Sequence, residues 1–267
     1  MRALGFRTFR ILAIAFTAYV AVAWAYQSGR VWLGYTIAAA VMGAWLGFTL
    51  LRVTKQSRQA RELRWEDAIF EAARRPRAIR EVQKAIRKLA PVNQRTRAEH
   101  ARLSVLLAEL LDAQGDYAEA MASVDALETG TLPALQVGLV QHTRAVTHLR
   151  GSDAQGALKA LEARAPSGDQ ELDLRLGLLE AYAYIELGQI DRGLQTADAV
   201  TQRSGVDSSV VTEARVVRAA ALDAQGRRED ALVQLAALGR ESLAPLSELG
   251  HPRVRELAKR VLDGFAV

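Results

Sequence analysis

The sequence predicts an all-α protein: an N-terminal transmembrane helical hairpin, then an α-solenoid of about four helix pairs with capping helices. Two observations predict this. Residues 11–51 carry a single charge, Arg30, in forty-one positions. Beyond residue 98, a helix, a glycine turn and a second helix recur with glycine spacings of 36, 37 and 38 residues.

A bilayer core of about 30 Å needs roughly 20 apolar residues in a helix. Residues 31–51 meet that requirement, and residues 11–26 meet it if Arg7 and Arg10 reach back to the headgroups. Gln27, Ser28, Gly29 and Arg30 supply a polar turn, so the two spans form a hairpin whose backbone bonds are all internal. Trp24, Tyr26, Trp32 and Tyr35 cluster at that turn, where an interfacial aromatic belt sits. Arg2, Arg7 and Arg10 precede the first span. Arg52, Lys55, Arg58, Arg61 and Arg64 follow the second. The excess of basic residues at both outer ends puts both termini in the cytoplasm.

Arg2 to Arg10, the apolar run and Ala21-Val22-Ala23 or Ala23-Trp24-Ala25 also fit a cleavable signal peptide. Cleavage leaves residues 31–51 as one span and the domain on the same side. Small residues recur at four-residue spacing: Ala13, Thr17, Ala21 and Ala25 in the first span, and Ala39, Gly43 and Gly47 in the second. Such stripes let helices approach closely in lipid, within one hairpin or between two molecules.

No cysteine is present, which excludes disulfides, cysteine-ligated metals and a cysteine nucleophile. The net charge of +5 is divided unevenly: residues 1–100 carry net +12 and residues 101–267 net −7. The basic part adjoins the membrane stretch, so topology and anionic lipid explain it before nucleic acid does. Thirty of the thirty-five basic residues are arginine. With the abundant alanine, this hints at a GC-rich bacterial genome and no more; the expected location is a bacterial inner membrane.

Residues 52–62 form a basic connector. Helices are expected over 64–74 and 77–90, broken at Pro76, which disfavours helix at the preceding residue. In the second of these Ile79, Val82, Ile86 and Leu89 mark one apolar face. Arg77, Arg80, Lys84, Arg87 and Lys88 lie elsewhere. Two readings apply: a terminal cap over the first repeat, which is favoured because a solenoid needs one, or an amphipathic helix on lipid.

The repeats occupy residues 92–245, with turns at Gly115, Gly151, Gly188 and Gly226. Ala108, Ala145, Ala181 and Ala219 precede the turns. Ala120, Ala157, Gly193 and Ala231 follow them, so both helices of each pair carry a small residue for close packing. Pro91, Pro133, Pro166, Ser204-Gly205 and Pro245 separate the units. A helix near residues 251–262, with Val254, Leu257 and Val261 on one face, caps the C-terminus within 246–267.

This pattern resembles the tetratricopeptide repeat family. Ala108, Gly115, Tyr117, Ala120 and Pro133 carry the likeness best. The family's early Trp is missing from all four units, Ser104 standing in its place in the first, and the turn at Gly151 has one extra residue. The resemblance implies a concave groove lined by the first helix of each pair, which binds a protein or peptide. Its lining here includes Arg102, Val105, Glu109 and Asp112, then Gln141, His142 and His148, then Arg175, Tyr182 and Glu186, then Val216 and Asp223. The Lys, Asn and Arg set that holds acidic chaperone tails in some members is not found, and the several carboxylates suit an extended basic or amphipathic segment.

No phosphate loop, His-Glu-x-x-His or Gly-x-Ser-x-Gly occurs in the sequence. The expectation is therefore a non-enzymatic, membrane-anchored scaffold without catalytic residues, metal or cofactor. Its expected partners are an unidentified protein or peptide in the groove, membrane lipid at the hairpin and basic flank, and another copy through the transmembrane helices. Nucleic acid is not expected. The alternative is an accessory subunit of a membrane complex whose main interface is the hairpin.

Overall fold

The computed structural model describes residues 59–89, 92–162, 164, 166–202 and 207–264, together with 36, 40, 43, 56 and 57. The chain divides into two compact units, Met1–Arg64 and Trp65–Val267. In the first, Thr36, Ala40 and Gly43 are helical and exposed. A Cβ built on Gly43 meets no atom within 4 Å among the described residues. Ala13, Thr17, Ala21, Ala25, Ala39 and Gly47 lie outside the described residues, as do both expected spans apart from Thr36, Ala40 and Gly43. Among the described residues no helix is long and apolar enough to cross a membrane.

The second unit is all helical among its described residues. Residues 65–70 continue a helix that ends in a turn over 71–74. Helix α1 (Arg75–Lys88) follows with Pro76 in its first turn. The break therefore falls ahead of the proline, because a first-turn proline gives up an N–H that has no partner there anyway. Ala78, Ile79 and Val82 of α1 are buried, and α1 packs on α2 (Gln94–Gln114), as a cap does. The buried indole of Trp65 donates to Glu81 of α1 at 3.0 Å. Arg75 donates to the Ala113 carbonyl at 2.8 Å, tying the start of α1 to the end of α2.

Four hairpins stack after that: α2 with α3 (Tyr117–Asp125), α4 (Ala134–Arg150) with α5 (Ala154–Glu162), α6 (Gln170–Glu186) with α7 (Ile190–Thr201), and α8 (Ser208–Ala224) with α9 (Arg228–Ala236). The first helices pack in order, α2 on α4, α4 on α6 and α6 on α8, and α3, α5 and α7 each pack on the next first helix. This nearest-neighbour pattern is that of a solenoid.

Gly115, Gly188 and Gly226 take φ of 96°, 76° and 79°, the left-handed conformation expected of the turns. The turn after α4 departs from this. Gly151 has φ −77° and the left-handed residue is Ser152, φ 62°, one position later. The extra residue noted in the sequence has shifted the reversal.

Ala108, Ala120, Ala145, Ala157, Ala181, Ala219 and Ala231 are all fully buried. At Gly193 the helices come closer still: a Cβ there would lie 2.7 Å from the Ala181 carbonyl oxygen and 2.6 Å from Ile185 Cγ1. Leu187 is 37% exposed at the end of α6. The core falls into two clusters. One runs from Trp65 to Val140 and the other from Ala145 to Val261, so α4 contributes to both.

The C-terminal part is a fifth hairpin, α10 (Arg240–Leu249) and α11 (Pro252–Gly264). Pro245, expected between units, sits inside α10. Helix α11 packs on α9 and α8 through Val254, Leu257, Ala258 and Val261, each at most 9% exposed.

Candidate functional site

The residues expected to line a groove fall into three groups. The first lies at the C-terminal ends of the first helices, where α10 and α11 meet them. Arg253 donates through Nε to Glu186 at 2.9 Å and through Nη1 to Asp223 at 2.9 Å, bridging α6 and α8. The hydrogen bond to Glu186 is the largest influence holding Arg253 above the ordinary arginine value. His251 stacks on Tyr182 with ring centroids 4.4 Å apart and planes 31° apart. Arg255 joins Asp112, Arg150 and Glu248 around a small cleft where α2 ends.

The α10–α11 turn therefore lies across the carboxylates at the ends of α2, α6 and α8. Asp112, Tyr182, Glu186 and Asp223, four of the residues expected to line a groove, are met there by this turn. The physical reason is the amphipathic face of α11. Burying two valines and a leucine at about 1.5–3 kcal/mol each contributes more than about 4 kcal/mol, and seats α11 where its first turn meets the acidic ends. The turn is thereby part of the cap rather than a loose lid.

The second group is buried inside the stack. Val105 and Val216 are each 9% exposed and Gln141 is 6% exposed. Asp112 is 4% exposed and forms an ion pair with Arg150 across α2 and α4. Burial raises its carboxyl above the usual value although Arg150 acts against the shift. Glu109 is half-buried, and burial pushes its carboxyl up to about 7, with Arg150 opposing and Glu66 and Asp112 reinforcing. His142 is half-buried and its ring is pushed down to about 4, by burial first and then by Arg175 and Arg150. His251 is driven to about 3, by burial first and then by Arg150, His142 and Arg255. Near neutral pH both rings are uncharged.

The third group lies toward the N-terminal ends of the first helices. Arg102 is exposed. Arg175 is half-buried, bonds Glu171 at 2.7 Å, pairs with Glu213 at 3.1 Å and donates to Ser209 at 3.1 Å. His148 belongs to none of these groups. Its Nδ1 lies 2.8 Å from Asp153 Oδ2, while Asp153 Oδ1 accepts from the Gly156 N–H at 2.9 Å. His148, expected in the groove lining, thus braces the α4–α5 turn. A Cβ on Gly156 would strike both side chains, at 2.2 and 2.3 Å.

Sequence reasoning passed over Arg150, His251, Arg253 and Arg255. A signal was present: His-Pro-Arg-Val-Arg is the kind of basic segment that the carboxylate lining was read to favour.

Among the described residues no group of three His, Asp or Glu side chains is arranged to hold a metal ion. The cleft between the α4–α5 turn, the end of α6 and Pro252 has a volume of about 260 Å³, under the roughly 300–1,000 Å³ usual for small-molecule sites. What stays open is the N-terminal half of the first-helix face. Leu135 and Leu139 of α4 are 45% and 39% exposed, and no other large apolar side chain within a first helix is exposed among the described residues. They share a helix face with His142 at positions i, i+4 and i+7. No family model, no curated protein and no solved structure matches the chain.

Proposed function

We propose that this chain is a membrane-anchored scaffold of the tetratricopeptide repeat kind, which binds a protein or peptide partner at the cytoplasmic face of the membrane. The partner occupies the open half of the first-helix face, near Leu135, Leu139, Arg102 and Arg175. The observation that carries the reading is the exposed Leu135–Leu139 pair. The other first helices bury their leucines wholly or in part, so two exposed leucines a turn apart, beside charged residues, fit an anchor for a partner helix or extended segment. The membrane placement rests on the apolar stretch at 11–51 and its basic flanks. The repeat assignment rests on the turn glycines, the buried alanines and the stacked hairpins.

The test is cross-linking in intact cells with the full-length chain, followed by affinity capture and mass spectrometry. It is run beside Leu135→Asp with Leu139→Asp, and beside Gly43→Leu with Gly47→Leu. Both leucines are already more than a third exposed, and a folding check by circular dichroism confirms that the aspartates leave the stack intact. Loss of a captured soluble protein with the aspartate pair supports the reading. Partners that survive the aspartates but vanish with the leucine pair shift the main interface to the hairpin, making the chain an accessory subunit of a membrane complex.

A further inference from the structure

The apolar side of α1 is spent on α2, but its opposite side has a character of its own. Advancing about 100° per residue, Ala78, Ile79, Val82 and Ile86 fall on the packed side. Arg77, Arg80, Lys84, Arg87 and Lys88 fall within an arc of about 100° facing away from it, and all five are exposed. Glu81 sits at the margin of the arc and is engaged by Arg77 at 3.0 Å and by the Trp65 indole. No acidic residue lies in the first turn of α1, and its last turn holds Arg87 and Lys88. Capping the solenoid requires only the apolar side. Five cations crowded along about 17 Å of helix repel one another and do nothing for that packing.

We infer that the outer face of α1 is a docking surface for an anionic lipid bilayer. Charge complementarity selects an anionic partner. Two further features select lipid. Phe70, 64% exposed, stands at the end of the helix preceding α1, five residues before its first residue. An exposed aromatic beside basic residues suits the headgroup boundary, where an apolar ring and cations are favourable together. The forty-one-residue apolar stretch also ends at Leu51, which keeps α1 tethered near the bilayer in which that stretch is proposed to sit. This surface rests on that membrane placement. It lies on the cap, apart from the first-helix face proposed for the protein partner, so it would hold the solenoid in a fixed attitude at the membrane while that face stays open. Each cation brought to an anionic leaflet raises the docked population about fivefold at ordinary ionic strength.

The chain is free of cysteine, so one probe can be placed cleanly. A fluorophore on Gln83→Cys borders the basic arc and removes none of its charges, and one on Gln234→Cys, exposed on α9, serves as the control. The full-length chain is reconstituted into vesicles of phosphatidylcholine alone or with phosphatidylglycerol, and quenching by neutral acrylamide is measured. Protection of the Gln83→Cys probe by threefold or more with phosphatidylglycerol, absent at Gln234→Cys, is the expected result. It fades as salt is raised to about 1 M, where screening acts within about 3 Å. Replacing Arg80, Lys84, Arg87 and Lys88 with Gln abolishes it.

Equal quenching in both vesicles from a chain that floats with them overturns the lipid surface and leaves the membrane placement standing. A chain that does not float with either vesicle overturns both. Stronger protection by added RNA in phosphatidylcholine vesicles than by phosphatidylglycerol overturns the inference in favour of a nucleic-acid face.

Discussion

Replacing Arg253 with Gln removes the guanidinium that joins Glu186 of α6 to Asp223 of α8. The side chains of Arg253, Glu186 and Asp223 are 30%, 27% and 15% exposed. That places the cluster between a surface pair, worth about 0–1 kcal/mol, and a fully buried one, whose breaking costs about 3–5 kcal/mol. Arg228 reaches Asp223 only at 3.7 Å and also serves Glu256 at 2.6 Å, so Glu186 is the carboxylate left without compensation. The expected loss is about 2–3 kcal/mol. For a domain near 200 residues this lowers Tm by roughly 4–12 °C, at about 2–4 °C per kcal/mol.

The assay is thermal unfolding of full-length protein in detergent, with hydrogen exchange by mass spectrometry to locate the change. Protection should fall first over residues 248–257, because the clamp fixes the α10–α11 turn. Adding Glu186→Gln and Asp223→Asn removes the stranded charges and should recover about half of the loss. Two results refute the reasoning: a Tm within about 1 °C of the parent for Arg253→Gln, or a triple variant no better than the single one.

Three further outcomes follow from the same geometry. The Glu109 carboxyl, raised to about 7 from 4.5, contributes stability that is full below pH 4.5 and lost as pH rises through 7. Glu109→Gln should therefore flatten Tm between those values and, at pH 8, exceed the parent by up to about 3 kcal/mol. His251, lowered to about 3 from 6.5, acts in the opposite direction: stability is full above pH 6.5 and falls as pH drops toward 3. His251→Phe keeps a ring against Tyr182 and should be more stable than the parent at pH 5 by about 2 kcal/mol in the same titration. Gly193→Ala gains about 1 kcal/mol of helix propensity but drives a methyl into the Ala181 carbonyl, so unfolding should show a net loss of about 1–2 kcal/mol.

The division between what the chain displayed and what folding decided follows from distance along the sequence. The hairpins were legible because their determinants are local. A glycine that ends one helix and a small residue five or six positions later act close together along the chain, and Gly115 with Ala120 sits as its spacing implied. The buried face of α1 was legible for the same reason, since one helix displays its own apolar residues. Small displacements were not. Pro76 falls inside a first turn rather than at a break, and the reversal after α4 is taken by Ser152, because a local pattern fixes an element better than its edges.

The site divides along the same line. Glu109, Asp112, Glu186 and Asp223 were visible as carboxylates on first helices, and Arg253 as a charge on a last helix. Their meeting was not visible, because Arg253 and Glu186 are 67 residues apart and no local rule sets where α11 lands. The sequence by itself determined a chain of helical pairs that must stack to bury their faces. Only the tertiary structure decided that the fifth pair would return across the acidic ends of α2, α6 and α8, leaving Leu135 and Leu139 open. The physical reason is that the seat of α11 is set by non-directional burial of its apolar face, which any complementary surface satisfies. Which surface that is depends on the accumulated geometry of every hairpin before it.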